Sequence, residues 1–442
     1  MRAPCPLRHP PHGRLPANRV ETGKQHGRGA KSTVRSGRTI LAMAVLAMPA
    51  GPALADDDGF TISLKGTVQF DAVALADGAL PAGARIADGG TFRRIRIGVA
   101  GRLSENWSYE FTPKSEAATS LRYIPINNAF VQYDGLAPLH FKAGALSPPT
   151  NFDGDTSSAD LLFLERAQPT DLARSLGGGT GRSAVTMFYY DATWFAGLSY
   201  AGGIMSDAVL RQQALVSRAA WRPWHDEDSG LAIGADVTHV FALPPSGATH
   251  DFRLRQRPEM NEQSVDLRLI DTGNLDTGSV TEFGMETAGN SGSLYAQGGL
   301  FHFFIDRATP ALSNPSFSSW YLQASWVLTG EARVWRASKG VYAAPEPAHP
   351  LDGDGFGAFE IAARYSEMSL DDRAGAASTA IAADGIRGGR QQIGTLGLNW
   401  YPTRIVRFML DYQHVNVARL NAVGGKLNAS MNLVSLRSQI AF

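Results

Sequence analysis

The chain has 442 residues, 41 basic and 41 acidic side chains, one cysteine and a hydrophobic content of 44%. Beyond Ala55 it holds no run of roughly 18 or more uncharged apolar residues, which excludes a helical membrane protein. It has no basic patch for nucleic acid to bind.

Residues 1–55 read as a targeting segment. They are basic and poor in acid up to Arg38, apolar from Ile40 through Leu54, and end on the small-x-small triplet Ala53-Leu54-Ala55 before Asp56. Pro49 and Pro52 break the apolar stretch, which is too short for a comfortable bilayer anchor. The basic part is longer than a signal peptide needs and carries Pro4, Pro6, Pro10, Pro11 and Pro16, which points to a translation start further along the chain. The segment holds nine of the 41 basic residues and one of the 41 acidic ones, so residues 56–442 keep 32 against 40, a balance of about −8. Cys5 leaves with it, and the exported chain then has no disulfide staple.

From Phe60 onward the chain shows period-two segments separated by Gly, Pro, Asn and Asp, the signature of strands. In Phe60 to Val73, Phe60, Ile62, Leu64, Val68, Phe70 and Ala72 fall on one face, and Thr61, Ser63, Lys65, Thr67, Gln69 and Asp71 on the other. Further along, Ile95, Ile97 and Val99 oppose Arg94, Arg96 and Gly98, while Val406, Phe408, Leu410 and Tyr412 oppose Arg407 and Asp411. The last segment repeats this, with Val434, Leu436, Ile440 and Phe442 opposite Ser435, Arg437 and Gln439. Apolar-out and polar-in alternation suits a strand with lipid on one side and a watery lumen on the other. A two-sheet sandwich would alternate as well, but one this long would divide into domains, and nothing after Ala55 reads as a linker. The expectation is an all-β fold: one transmembrane antiparallel β-barrel over residues 56–442, of about 16 strands drawn from up to about 18 candidate segments. Leu103-Ser104-Glu105-Asn106, Thr329-Gly330-Glu331 and Tyr401-Pro402-Thr403 read as tight turns at the periplasmic rim.

One connection breaks the meander. After the strand Leu139 to Ala145, the stretch from about 146 to 181 holds Ser157-Ser158-Ala159-Asp160, the run Leu161 to Arg166, and glycines 177, 178, 179 and 181. Its apolar centre, Leu161-Leu162-Phe163-Leu164, is ill placed in external water, which favours folding inward to constrict the lumen over packing on the rim. The glycine tract lacks the Lys-Ser/Thr ending of a phosphate-binding loop. The stretch carries five acidic residues (Asp153, Asp155, Asp160, Glu165, Asp171) against three basic ones (Arg166, Arg174, Arg182), a balance that does not by itself favour anions.

Phe92-Arg93-Arg94-Ile95-Arg96-Ile97-Gly98, the Thr156-Ser157-Ser158 to Glu165-Arg166 loop, Leu328-Thr329-Gly330-Glu331 and Gly397-Leu398-Asn399-Trp400-Tyr401-Pro402 together resemble the phosphate-selective porin O and P family. The likeness runs from about Phe60 to Phe442. It implies a 16-stranded, trimeric outer-membrane barrel whose third external loop folds inward and whose arginines line an anion path. It further implies a Gram-negative outer membrane bearing lipopolysaccharide, and delivery by the barrel-assembly machinery through the strand ending at Phe442.

On this resemblance the arginine-rich second strand faces the lumen, placing Arg94 and Arg96 on the anion path. Arg93 breaks phase and is expected at the strand entrance. Lys142, opposite outward Phe141 and Ala143, and Arg437 are expected to face water in the pore. Arg166 is counted with the pore-lining, anion-binding residues, a loop-bracing salt bridge with Glu165 or Asp160 being favoured over direct contact with a permeating ion, while Ser157, Ser158, Asp160 and Glu165 set the width of the constriction. Asp160 stands where the resemblance implies a lysine in members that hold phosphate tightly, which leaves the ion preference open. Arg253, Arg255 and Arg257, spaced by two, fit a pore wall or a solvated external loop equally well, since Asp251 and Pro258 bracket them.

Leu351-Asp352-Gly353-Asp354-Gly355 lacks the spaced oxygens of a calcium loop and reads as a turn. No Gly-x-Ser-x-Gly elbow is present and the histidines beyond Ala55 show no close metal-like pairing, so no enzyme, metal or cofactor is expected. The eight tryptophans, at 107, 194, 221, 224, 320, 326, 335 and 400, suggest interfacial girdles. The functional expectation is a passive channel for small inorganic anions such as phosphate or polyphosphate. Its rivals are a weakly selective general porin and a barrel plugged by its loop that acts as an adhesin or receptor.

Overall fold

The computed structural model describes residues 54–55, 59–78, 80, 89–114, 126–205, 212–243, 251–260 and 267–442; the leader expected over 1–55 lies outside them except for residues 54–55. Sixteen long strands make up the wall: β1 (Thr61–Gly78), β2 (Gly89–Ser104), β3 (Trp107–Pro113), β4 (Ile126–Leu136), β5 (Leu139–Leu146), β6 (Arg182–Tyr190), β7 (Trp194–Ile204) and β8 (Gln213–His225). They continue as β9 (Ser229–Ala242), β10 (Leu275–Ser291), β11 (Leu294–Arg307), β12 (Ser316–Val327), β13 (Ala358–Asp372), β14 (Ile386–Tyr401), β15 (Val406–Ala418) and β16 (Ala429–Ala441). Each pairs antiparallel with its neighbour in sequence, and β16 pairs with β1 from Ala441↔Thr67 to Met431↔Gly78, so the sheet closes on itself. Closure is what lets strands cross hydrocarbon, because every backbone amide and carbonyl in the wall then has a partner.

The alternation read from the sequence is the alternation of the wall. Met285, Leu300 and Leu396 are about two-thirds exposed on the outer face, while Gln69, Asp71, Glu282, Gln391 and Asp411 are sealed inside. Trp107, Trp194, Trp221, Trp224, Trp326 and Trp400 sit at strand ends on the rim where the chain terminates, in the positions of a girdle. Trp320 lies along the wall, and Trp335 departs from the expectation altogether. It is inside the lumen, its ring 5.1 Å from that of Tyr342.

Turns at the terminal rim are short at 105–106 and 402–405, as expected, and at 137–138, 191–193 and 226–228. The expected tight turn at Thr329-Gly330-Glu331 is corrected by the structure. Gly330 does close a turn onto Val327, but the chain then runs on to residue 357, through a hairpin (Arg333–Arg336 with Val341–Pro345) that enters the barrel. Val341 and Tyr342 pack there against Phe152, Phe188 and Phe195. The long connection after β9 also returns to the interior, where Leu254, Met260 and Leu267 are buried. Among the described residues, three segments therefore enter the lumen, where the sequence singled out one.

A lipid-facing outer wall makes a direct prediction. Leu300→Arg, in the middle of β11, should lower the free energy of folding into phospholipid vesicles by about 2–4 kcal/mol. An unchanged free energy would mean that this face does not meet hydrocarbon.

Candidate functional site

The stretch after β5 enters the barrel as two short helices joined by irregular chain: α1 (Phe152–Asp155) and α2 (Gln168–Gly177). Asn151 caps α1 by accepting from the Gly154 amide at 2.6 Å. The first amides of α2 lack a side-chain cap of their own and instead donate to distant carboxylates, Ala167 to Asp153 at 3.0 Å and Gln168 to Glu259 at 2.7 Å. Glu259 belongs to the connection after β9, so that segment holds the helix in place.

Between the helices, Leu161, Leu162, Phe163 and Leu164 are buried although their backbone forms no regular structure. Such backbone survives burial only if its polar groups find partners. Here they do, one by one, from the wall and the lumen hairpin. Arg333 donates to the Asp160 carbonyl at 3.3 Å; Arg407 and Gln439 donate to that of Ala159 at 3.1 and 3.0 Å. Asn399 donates to Leu162 at 3.0 Å, Arg437 to Leu164, and Arg364 to Glu165 at 3.1 Å. The Leu164 amide in turn donates to Asp411 at 2.9 Å. Phe163 lies under the Arg364 guanidinium, 4.3 Å from it, and against Gly397 of β14, where an added Cβ would come within 3.0 Å of the ring.

The strongest tie is made by the Glu165 side chain. Arg93 grips it with two bonds of 2.8 and 3.1 Å, Arg94 approaches at 3.2 Å and Arg437 at 3.0 Å. A bulge produces the double grip of β2: Gln69 faces Arg94 and Phe70 faces Phe92, so Arg93 is the extra residue and turns inward beside Arg94. Arg93 is thus within the strand, not at its entrance. Burial alone would raise the Glu165 pKa, but Arg93, Arg94 and Arg437 together hold it well below the usual carboxylate range.

Arg437 departs from expectation in another way. It is 2% exposed and forks onto Asp71 at 2.6 and 2.7 Å as well as reaching Glu165, so it stands behind the loop and not on the channel surface. Arg166 braces the loop as expected but through different partners. It donates to the carbonyls of Asp153, Gly154 and Thr156 at 2.8, 3.3 and 2.7 Å, because the Glu165 carboxylate is already engaged. Arg96 points its guanidinium at the Ser158 hydroxyl at 3.5 Å, and Gln69 donates to the Ser158 carbonyl at 3.0 Å. Arg253 pairs with Asp271 at 2.7 Å, Arg255 is exposed, and Arg257 reaches the channel. The Asp352 turn is closed by the Gly353 and Gly355 amides on the Pro350 carbonyl.

What remains open is a cavity of about 910 Å³ running between loop and wall. Ser157, Ser158, Asp160, Glu165 and Arg166 line one side, and Arg93, Arg94, Arg96 and Lys142 line the other. Among the described residues, eleven cationic side chains and five acidic ones border it, the cations including Lys65, Lys114, Arg174, Arg257, Lys339 and Arg404. Three of the five acids are already compensated: Glu165 as above, Glu110 by Lys65 at 2.8 Å and Asp155 by Arg218 at 2.6 Å. The acidic balance of the loop read in isolation is therefore reversed by the wall it docks on.

The family model for phosphate-selective porin O and P matches residues 63–442. The chain belongs to that family. Porin O of Pseudomonas aeruginosa is 25% identical over 374 residues, covering 80% of this chain and 83% of that protein. An uncharacterized protein of Caulobacter vibrioides is 27% identical over 406 residues, covering 86% of this chain and 73% of its own. Among solved structures, OmpT of Vibrio cholerae superposes with a TM-score of 0.53 at 10% identity, over 88% of this chain and 99% of that one. The anion-selective porin of Comamonas acidovorans gives 0.51 at 12% identity, over 87% and 100%. Fold and family make this an outer-membrane porin.

Several residues that hold the porin's loop escaped the sequence reading as site residues, among them Arg333, Arg364, Arg407, Asn399 and Gln439, together with Glu360, which holds Arg333. Arg364 sits on the inward parity of β13, a signal available in principle. Arg333 sits on the lumen hairpin, where no strand alternation could point to it, and pairs with Glu360 at 2.9 Å.

Glu165→Gln keeps the side chain's size and takes the paired carboxylate from Arg93 and Arg94, while Arg437 keeps Asp71. It should cost about 3–5 kcal/mol in refolding free energy and expose residues 157–165 to protease from outside. Protonation removes the same charge. Because the folded pKa is depressed, the tie is intact above the ordinary carboxylate range and is lost as pH falls through the folded value. The difference in refolding free energy between the native chain and Glu165→Gln should stay constant from about pH 8 to about pH 5 and shrink only in stronger acid; a difference that shrinks near neutrality would contradict this.

Proposed function

We propose that this porin is a passive diffusion channel that favours small anions, inorganic phosphate among them. The observation that carries the reading is the charge of the cavity: among the described residues eleven cations border it against five acids, and the cationic excess survives when Lys65, Arg93, Arg94 and Arg404 are set against their carboxylate partners. Cationic groups spaced along a low-dielectric tube replace an ion's hydration in overlapping steps, so that no single site traps it. Narrow walls focus that field and raise the local concentration of counter-ions. In this reading Arg93, Arg94 and Arg96 supply positive potential at the narrow level, Arg93 and Arg94 partly offset by Glu165, and Ser157, Ser158 and Asp160 set the width. Arg166 and Arg437 act on the ion through the loop they hold.

The same reading takes residues 1–55 as a leader removed on export and residues 56–442 as the inserted barrel. It assembles as a homotrimer in a lipopolysaccharide-bearing bilayer, delivered by the barrel-assembly machinery through the terminal strand. Asp160, facing the cavity without an ion pair among the described contacts, favours a second reading in which phosphate gains no preference over chloride.

The test is the reversal potential of the refolded chain, residues 56–442, in a planar bilayer across a potassium chloride gradient. It should take the sign of chloride, and Arg96→Gln should move it toward zero. Chloride preference with indifference to added phosphate would select the second reading. Cation preference would overturn both, and the absence of any conductance would point to a plugged barrel with a binding role.

A further inference from the structure

Most of the wall's guanidinium forks are committed to the loop, but two lysines in the channel are not. Lys142 on β5 and Lys339 at the tip of the lumen hairpin both line the cavity. Neither makes an ion pair with a carboxylate among the described residues. The Lys142 ammonium lies instead 4.5 Å from the centre of the Phe130 ring and 5.2 Å from that of Phe188.

The tip carrying Lys339 is held in place. Arg218 donates to the carbonyls of Lys339 and Gly340 at 2.7 and 2.5 Å. Gly340 adopts φ +58 and presses so close to Phe195 that a Cβ there would lie 2.7 Å from it. The tip packs on β6 and β7, the strands that carry Phe188 and Phe195, and both rings border the cavity. Both lysines thus border one space with the half-buried Phe130 ring and the exposed margins of Phe188, which stacks on His140, and Phe195, which lies under the Arg218 guanidinium.

The chemistry of that space differs from the chemistry of a phosphate site. Bare phosphate is best held by guanidinium forks and convergent backbone amides, and Arg93, Arg333, Arg364 and Arg437 spend their forks on carboxylates and loop carbonyls. Lysine is a point charge that accepts a carboxylate without geometric demand. Aromatic walls add nothing for an inorganic ion, yet they stack well on a flat apolar body.

Building on the anion-channel reading, we propose that Lys142 and Lys339, with Phe130, Phe188 and Phe195, form a subsite for small aromatic carboxylates. The carboxylate sits between the two ammonium groups and the ring lies against the phenylalanines. The permeating anion then pauses here on its way through.

The test uses the refolded chain, residues 56–442, in planar bilayers with chloride carrying the current, and sodium benzoate, sodium acetate and sodium phosphate added in separate runs. Benzoate should reduce chloride conductance at lower concentration than either of the others. Lys142→Gln and Lys339→Gln should each weaken that block about tenfold, the scale of one lost charge-assisted hydrogen bond. Lys339 is at an exposed hairpin tip, so its variant should keep the native barrel's gel mobility. Stronger block by phosphate, equal block by acetate and benzoate, or benzoate block unchanged in both variants would overturn the subsite. The reversal potential before any organic anion is added reports on the anion-channel reading separately.

Discussion

An irregular piece of backbone can be buried inside a barrel only if its carbonyls and amides find partners, and that constraint organises this lumen. From Ala159 to Glu165 the chain has no regular structure, yet Arg364, Arg407, Arg437, Asn399 and Gln439 from the wall and Arg333 from the lumen hairpin meet its carbonyls. Each guanidinium must itself be compensated. Glu360 serves Arg333, Glu259 serves Arg364, and Asp71 and Glu165 serve Arg437. The result is a connected set of buried charges in which removal of one member strands another, the situation in which a buried ion pair is costly to break.

This accounting decides what the channel can offer an ion. Arginines on the inward face of an outer-membrane barrel invite the reading that they line an anion path. Several here are structural, and Arg437 does not reach the channel surface. Conversely, acids that would repel anions if the loop stood alone are consumed in holding it. The electrostatics of the path are what remains after both deductions: a cationic remainder within a chain whose residues 56–442 carry more acid than base.

Much of the wall was legible in the sequence because period two is enforced on every strand by lipid on one side. Leu410 and Tyr412 against Arg407 and Asp411 could be assigned to faces from spacing alone. The inward loop was legible through Leu161-Leu162-Phe163-Leu164, four apolar side chains that no aqueous loop would carry. What failed to show had no periodic pressure on it. The bulge that brings Arg93 inward is a matter of register with Gln69 and Phe70, which depends on the neighbouring strand. The lumen hairpin from Arg333 to Pro345 reads as an ordinary strand pair, and Gly330 gives a true turn signal that says nothing of the excursion after it. Arg166 was placed correctly as a brace, but its partners could not be read, because the competition for Glu165 comes from residues more than 70 positions away.

The central claim is that the loop around Asp160 lies in the channel and that the channel it borders is net cationic. The most direct test is thiol modification of Asp160→Cys in the chain from residue 56 onward, which otherwise has no cysteine. Small anionic and cationic thiosulfonate reagents would be compared in single-channel recordings. The anionic reagent should react faster, and each reaction should lower the conductance in a discrete step. Modification that leaves the conductance unchanged would place residue 160 outside the channel, and faster reaction of the cationic reagent would contradict the cationic path.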